Sequence, residues 1–123
     1  MRHVIILYCT TDGQTLHICE YLQGVVEQSD KRVTVLPIEL ADGRDLTVFD
    51  TIVIGASIRY GKHSKLVYDF IHRHAMLLDS KPNAFFSVNV VARKPGKNTP
   101  ATNPYLKKFL QQVPWKPRNL AVF

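Results

Sequence analysis

Three short stretches of this chain carry residue types and spacings that could do chemistry. The first is Thr10-Thr11-Asp12-Gly13-Gln14-Thr15. It offers three hydroxyls, an amide and a glycine that permits a tight turn, with no cation among them. At the start of a helix, such a set suits a phosphate resting on free backbone N–H groups at the positive end of the helix dipole. The same residues also describe an ordinary polar turn with Asp12 as helix cap, and the loop alone does not separate the two. The second stretch is Ser57-Ile58-Arg59-Tyr60-Gly61-Lys62-His63. Here Tyr60 can stack on a planar ring, Arg59 can set positive charge beside an anionic one, and Gly61 frees its peptide to meet a ring nitrogen. The plain alternative is a solvated turn with a surface aromatic. His63 is expected at the surface or at a helix start rather than in acid–base work. The third stretch runs Asn89-Val90-Val91-Ala92-Arg93-Lys94-Pro95-Gly96-Lys97. Asn89 and the backbone after it can bond the edge of a ring, and Arg93, Lys94 and Lys97 form a basic rim. A flexible connection kept solvated by its charges would read similarly.

Competing chemistries fail on their spacing. The chain has no G-x-x-x-x-G-K-[ST] and no G-x-G-x-x-G, which argues against a P-loop and a dinucleotide-binding turn. Cys9 invites comparison with cysteine-dependent phosphatases, but the arginine those need six positions on is replaced by Thr15. No fixed cation is at hand to lower the thiol pKa. Cys9 and Cys19, the chain's two cysteines, are therefore expected to be small buried side chains, and they suggest neither a disulfide framework nor a zinc site. His3, His17, His72 and His74 carry no functional signal, and no metal site is expected.

The elements that must position these loops alternate between strand and helix. Residues 3–9 are a nearly continuous apolar run, as a strand buried on both faces reads. Over 15–28, Leu16, Cys19, Leu22, Val25 and Val26 share one helical face. Residues 32–38 predict a second strand, with Pro37 marking its end or an edge. Residues 50–57 predict a third. Ser64 can cap a helix bearing Leu66, Val67, Phe70, Ile71 and Leu78. Residues 84–91 predict a fourth strand, Asn103-Pro104 opens a short helix with Leu106, Phe109 and Leu110, and Leu120–Phe123 begin a fifth strand. Such alternation implies an α/β domain with a parallel sheet and helices on both faces. Ligands in such sheets sit beyond the strand carboxyl ends, where all three stretches fall.

The length of 123 residues fits one domain, residues 1–123. A net charge of +6 favours anionic partners, among them phosphates, carboxylated substrates and acidic lipid surfaces, and nucleic acid is not an expected partner. No apolar run approaches the roughly 20 residues of a membrane-spanning helix, so membrane contact is expected to be peripheral. The first residues read as a strand, not a signal peptide, and a reducing compartment is the simpler expectation.

The segments Thr10–Thr15, Ile54-Gly-Ala-Ser-Ile-Arg-Tyr-Gly61 and Ser87-Val-Asn-Val-Val-Ala-Arg-Lys-Pro95 together resemble one family. It is the flavodoxin-like, quinone-dependent protoporphyrinogen oxidases of bacterial haem synthesis. The likeness continues through Thr99-Pro100, Thr102-Asn103, Tyr105 and Lys108-Phe109-Leu110. The first motif would match many flavodoxins, whereas the second and third are more specific. The resemblance implies a flavodoxin-like three-layer sandwich with strand order 2-1-3-4-5. It implies FMN with its phosphate on residues 10–15 and its ring between Ser57, Ile58, Arg59, Tyr60 and Gly61 and Asn89, Val90, Val91, Ala92 and Arg93. It implies oxidation of protoporphyrinogen IX to protoporphyrin IX in three two-electron rounds, with menaquinone or ubiquinone as acceptor. The site would lie on the cytoplasmic face of the bacterial inner membrane. No catalytic base is evident; flavin N5 would carry the chemistry, with Arg59 and Tyr60 as candidate helpers. Arg59, Lys62, Arg93, Lys94 and Lys97 are the candidate partners of the substrate propionates. A flavodoxin-type electron carrier and an NAD(P)H:quinone reductase are the alternatives. Asp12 stands where flavodoxins commonly carry threonine, and is expected to turn away and cap the helix. The chain ends at Phe123, early in the fifth strand. Family members continue through a basic, aromatic insertion and a final helix, so a truncated domain with an exposed apolar sheet face is expected.

Overall fold

The computed structural model describes residues 2–9, 14–59, 62–88 and 103–122. Strand β1 (His3–Cys9) leads to helix α1 (Gln14–Glu27) and strand β2 (Arg32–Pro37). Two 3-10 turns, Ile38–Gly43 and Leu46–Val48, then precede β3 (Thr51–Arg59). A two-residue strand β4 (Lys62–His63), helix α2 (Lys65–Ser80) and strand β5 (Asn83–Val88) follow, and helix α3 (Pro104–Gln112) and strand β6 (Leu120–Val122) complete the fold.

The strands lie in the order β2-β1-β3-β5-β6, and every neighbouring pair is parallel. Counting parallel strands alone, this is the expected 2-1-3-4-5. The short β4 was not expected: it pairs antiparallel with the end of β3, Ile58 with His63 and Arg59 with Lys62. Two residues are too few to leave an alternating pattern in the sequence.

Alternation along β1 divides the core between the two sheet faces. Ile5 and Leu7 point to one face, where they meet Ile52, Ile54, Phe85, both 3-10 turns, α2 and α3. Val4 and Ile6 point to the other, with Phe86, Cys19, Leu22 and Val26. Both cysteines are buried and free, as expected. Burial pushes the Cys19 thiol up to about 12, with a smaller contribution from Glu20. Val25 and Leu66, placed on apolar helical faces by spacing alone, are exposed instead. The 3-10 turns supply Ile38, Ala41 and Leu46 to the core. Asp45 caps the second, accepting from the Thr47 hydroxyl and from the Thr47 backbone N–H, the latter at 3.0 Å, and these hydrogen bonds, the hydroxyl's foremost, hold its carboxyl below the usual range.

Among the described helices, α1 alone covers the second face. Beside it lies an open apolar groove of about 230 Å³, walled by Leu22, Val26, Val53, Phe86 and Ala121. At its edge, Gly55 is the one residue that fits: a methyl there would enter the Phe86 ring.

Candidate functional site

The register brings the ends of three strands level. Cys9 of β1 pairs with Ala56 of β3, which pairs with Ser87 of β5, and Ser57 pairs with Val88. Adjacent strands are about 4.8 Å apart, so the chain segments leaving β1, β3 and β5 start within about 10 Å of one another. The chain leaves β1 towards β2 on one side and β3 towards β5 on the other. The strand order thus reverses between β1 and β3, and a crevice at the carboxyl ends is the consequence.

Helix α1 begins at that end, five residues beyond Cys9. Its first turn, with Gln14 and Thr15, contains no acidic residue, and its leading N–H groups have no acceptor within the helix. Ser57 is buried at the end of β3. The backbone of Ile58, Arg59 and Lys62 is fixed by the β3–β4 pairing. Thr10, Thr11, Asp12, Gly13, Tyr60, Gly61, Asn89, Val90, Val91, Ala92, Arg93, Lys94 and Lys97 lie outside the described residues. The described frame brings the roots of all three candidate loops together.

At the strand ends from which those stretches depart sits a polar cluster. His63 is buried, at 4% exposure, and not on the surface or in the helix as the sequence suggests. Its Nε2 is hydrogen-bonded to Ser87 Oγ at 2.8 Å. Its ring lies 4.7 Å from that of Phe109 and 5.6 Å from that of Phe85. Burial drives its pKa down to about 4, so the imidazole is neutral at pH 7. Ser64 then caps α2, accepting from the Leu66 backbone N–H at 3.2 Å. Burial raises the Cys9 thiol above its ordinary value; hydrogen bonding with Ser64 opposes this and Glu39 adds to it. A neutral thiol is a poor nucleophile, which agrees with a packing role. Asn103 caps α3, its Oδ1 accepting from the Leu106 backbone N–H at 3.1 Å. His63 and Ser87 were missed as partners because nothing local joins positions so far apart.

The residue types of these loops suit a flavin. The loop after β1 is neutral apart from Asp12, and the helix start offers N–H groups. The other two loops carry the tyrosine, glycine and asparagine suited to a flat heterocycle.

A family model described as the flavodoxin domain matches residues 5–123. The chain belongs to the flavodoxin-domain family. Membership implies flavin binding. This flavodoxin domain is 42% identical over 118 residues to the protoporphyrinogen IX dehydrogenase (quinone) of Escherichia coli K12, covering 96% of the chain and 65% of that protein. It is 38% identical over 120 residues to the protein of the same name from Leishmania major, covering 97% of the chain and 52% of that protein. The chain therefore spans from about half to just under two-thirds of the length of these relatives. Among solved structures, two-electron reduced Megasphaera elsdenii flavodoxin superposes with a TM-score of 0.71 at 16% identity, over 97% of this chain and 84% of that one. A flavodoxin from the domain Archaea gives 0.64 at 18% identity, over 98% and 83%. At such identities the likeness is one of fold.

Proposed function

We propose that this domain binds FMN and takes part in oxidising protoporphyrinogen IX to protoporphyrin IX, with a respiratory quinone, menaquinone or ubiquinone, as electron acceptor. The observation that carries the reading is the 42% identity, across 96% of the chain, to a protein named for that reaction. The convergence of three loop roots at the strand-order reversal supports it. When bound, FMN supplies a two-electron acceptor, so the protein needs to bind and orient rather than provide a reactive side chain.

In this reading, residues 10–15 receive the phosphate on the N-terminal N–H groups of α1. Ser57–Gly61 and Asn89–Arg93 take opposite edges of the ring. Arg59, Lys62, Arg93, Lys94 and Lys97 attract the substrate propionates through charge-assisted contacts. The net charge of +6 serves the same end, and also a peripheral position on the cytoplasmic face of an anionic inner membrane.

The test is anaerobic mixing of the flavin-loaded protein with protoporphyrinogen IX. Bleaching of flavin absorbance near 450 nm, a property of flavins generally, followed by its return on adding menaquinone or ubiquinone, is the expected result. Bleaching by NADPH but not by protoporphyrinogen would replace this reading with a quinone reductase. Bleaching by neither would leave an electron carrier.

A further inference from the structure

His63 occupies an unusual place: a buried imidazole on a strand of two residues. Burying a polar ring has a cost that leucine or phenylalanine would avoid at similar volume. The hydrogen bond to Ser87 and the contacts around the ring explain what the imidazole adds. His63 is the second residue of β4, and its backbone pairs with Ile58 of β3. Its Nε2 reaches Ser87, two residues before the loop that leaves β5. Its ring packs on Phe109 of α3, the helix into which that loop returns. Phe109 is itself stacked on Phe85, centroids 4.6 Å apart and planes within 9°. One residue of the β3–β4 pair thus contacts both β5, from whose end the 89–102 stretch departs, and α3, which follows it.

We infer that His63 is a positioning residue for the flavin ring, holding the 59–62 hairpin and the two roots of the 89–102 loop in one fixed relation. The inference rests on the proposed placement of the ring between those loops. An apolar side chain could fill the space, but the bond to Ser87 adds a directional tie between β4 and β5, which otherwise meet only through their separate backbone pairings with β3. The phosphate end of the ligand, on the far side of β3 at the start of α1, makes no use of this contact.

The experiment compares parent, His63→Leu, His63→Gln and Ser87→Ala, each titrated with FMN and with riboflavin at matched folded fraction. Visible circular dichroism of the bound flavin reports ring orientation. His63→Leu is expected to weaken FMN and riboflavin alike by about tenfold, leaving the ratio of their dissociation constants unchanged, and to alter the flavin dichroism. His63→Gln, which can still reach Ser87, is expected to restore both readouts. Ser87→Ala is expected to reproduce the His63→Leu pattern, and it decides the matter if His63→Leu does not fold. A folded His63→Leu or Ser87→Ala protein with parental dichroism and affinity would overturn the inference while leaving the flavin site standing. So would equal losses in His63→Gln and His63→Leu, the mark of a purely volumetric role. If the parent binds neither flavin, the placement of the ring fails, and the inference with it.

Discussion

Acid should destabilise this domain through His63. Its pKa falls from 6.5 to about 4 in the folded protein because burial penalises the charged ring. The folded value lies below the unfolded one, so the unfolded chain takes up the proton first. The stabilising contribution is therefore complete above pH 6.5 and is lost as the pH falls towards 4. A shift of that size amounts to about 3 kcal/mol over the whole window, and about 2 kcal/mol is already gone at pH 5. Against a typical domain stability of roughly 5–15 kcal/mol, that is a large fraction. Urea unfolding at pH 7 and pH 5 measures it, with His63→Gln as the control that cannot titrate. The difference in unfolding free energy between the two pH values should be about 2 kcal/mol smaller in the variant than in the parent. Subtraction within one chain removes the contributions of the other titrating groups. Equal pH dependence in the two proteins, or a native His63 ring that titrates near 6.5 by NMR, would refute the reasoning.

Other perturbations have equally definite outcomes. Gly55→Ala pushes a methyl into the Phe86 ring, which is itself buried, and should lower the urea unfolding free energy by about 1–3 kcal/mol; adding Phe86→Leu should recover much of the loss, and a neutral Gly55→Ala would show that the ring moves freely. Asn103→Ala removes the cap that accepts from Leu106 and should cost about 1–2 kcal/mol in the same assay, whereas Asn103→Asp should keep most of it. Arg59→Ala removes positive charge from the proposed ring site and should lower the two-electron potential of bound flavin by on the order of 30 mV in a spectroelectrochemical titration; an unchanged potential would take Arg59 out of the site.

The strands were legible because a parallel sheet covered on both faces needs long apolar runs, and β1 and β3 have them. The caps at Ser64 and Asn103 were legible because capping is a local matter of one side chain and an N–H two or three residues on. What escaped the sequence depends on distant partners. Between β2 and β3, Ile38, Ala41, Leu46 and Phe49 are spaced as one long helix would space them, yet the chain forms two short 3-10 turns that pack these residues beneath the sheet. Val25 satisfies a helical spacing yet is exposed. His63 reads as one more polar loop residue until Ser87, Phe85 and Phe109 surround it. The candidate loops themselves were legible as positions in the fold, since their roots follow from strand order.

The buried polar residues sharpen that last point. Among the described residues these are Ser57, His63, Asn83, Ser87 and Asn103. Asn83 stands alone at the amino end of β5, and its bonds account for it. Its Nδ2 donates to the carbonyls of Leu78 and Lys81 at 2.8 and 3.0 Å, and its Oδ1 accepts from the Arg118 backbone N–H at 2.8 Å. It ties the end of α2 to the approach to β6, a task of the fold. The other four lie at the opposite end, around the roots of the three candidate loops. Of these, Asn103 serves the fold as the cap of α3; at Ser57, His63 and Ser87 apolar side chains of equal volume would pack without desolvating a polar atom. Hydrogen bonds add what apolar contacts lack, a fixed direction between elements. Directionality concentrated at the end where the strand order reverses is what a ligand-holding crevice requires, and at the other end Asn83 shows how little of it the scaffold needs.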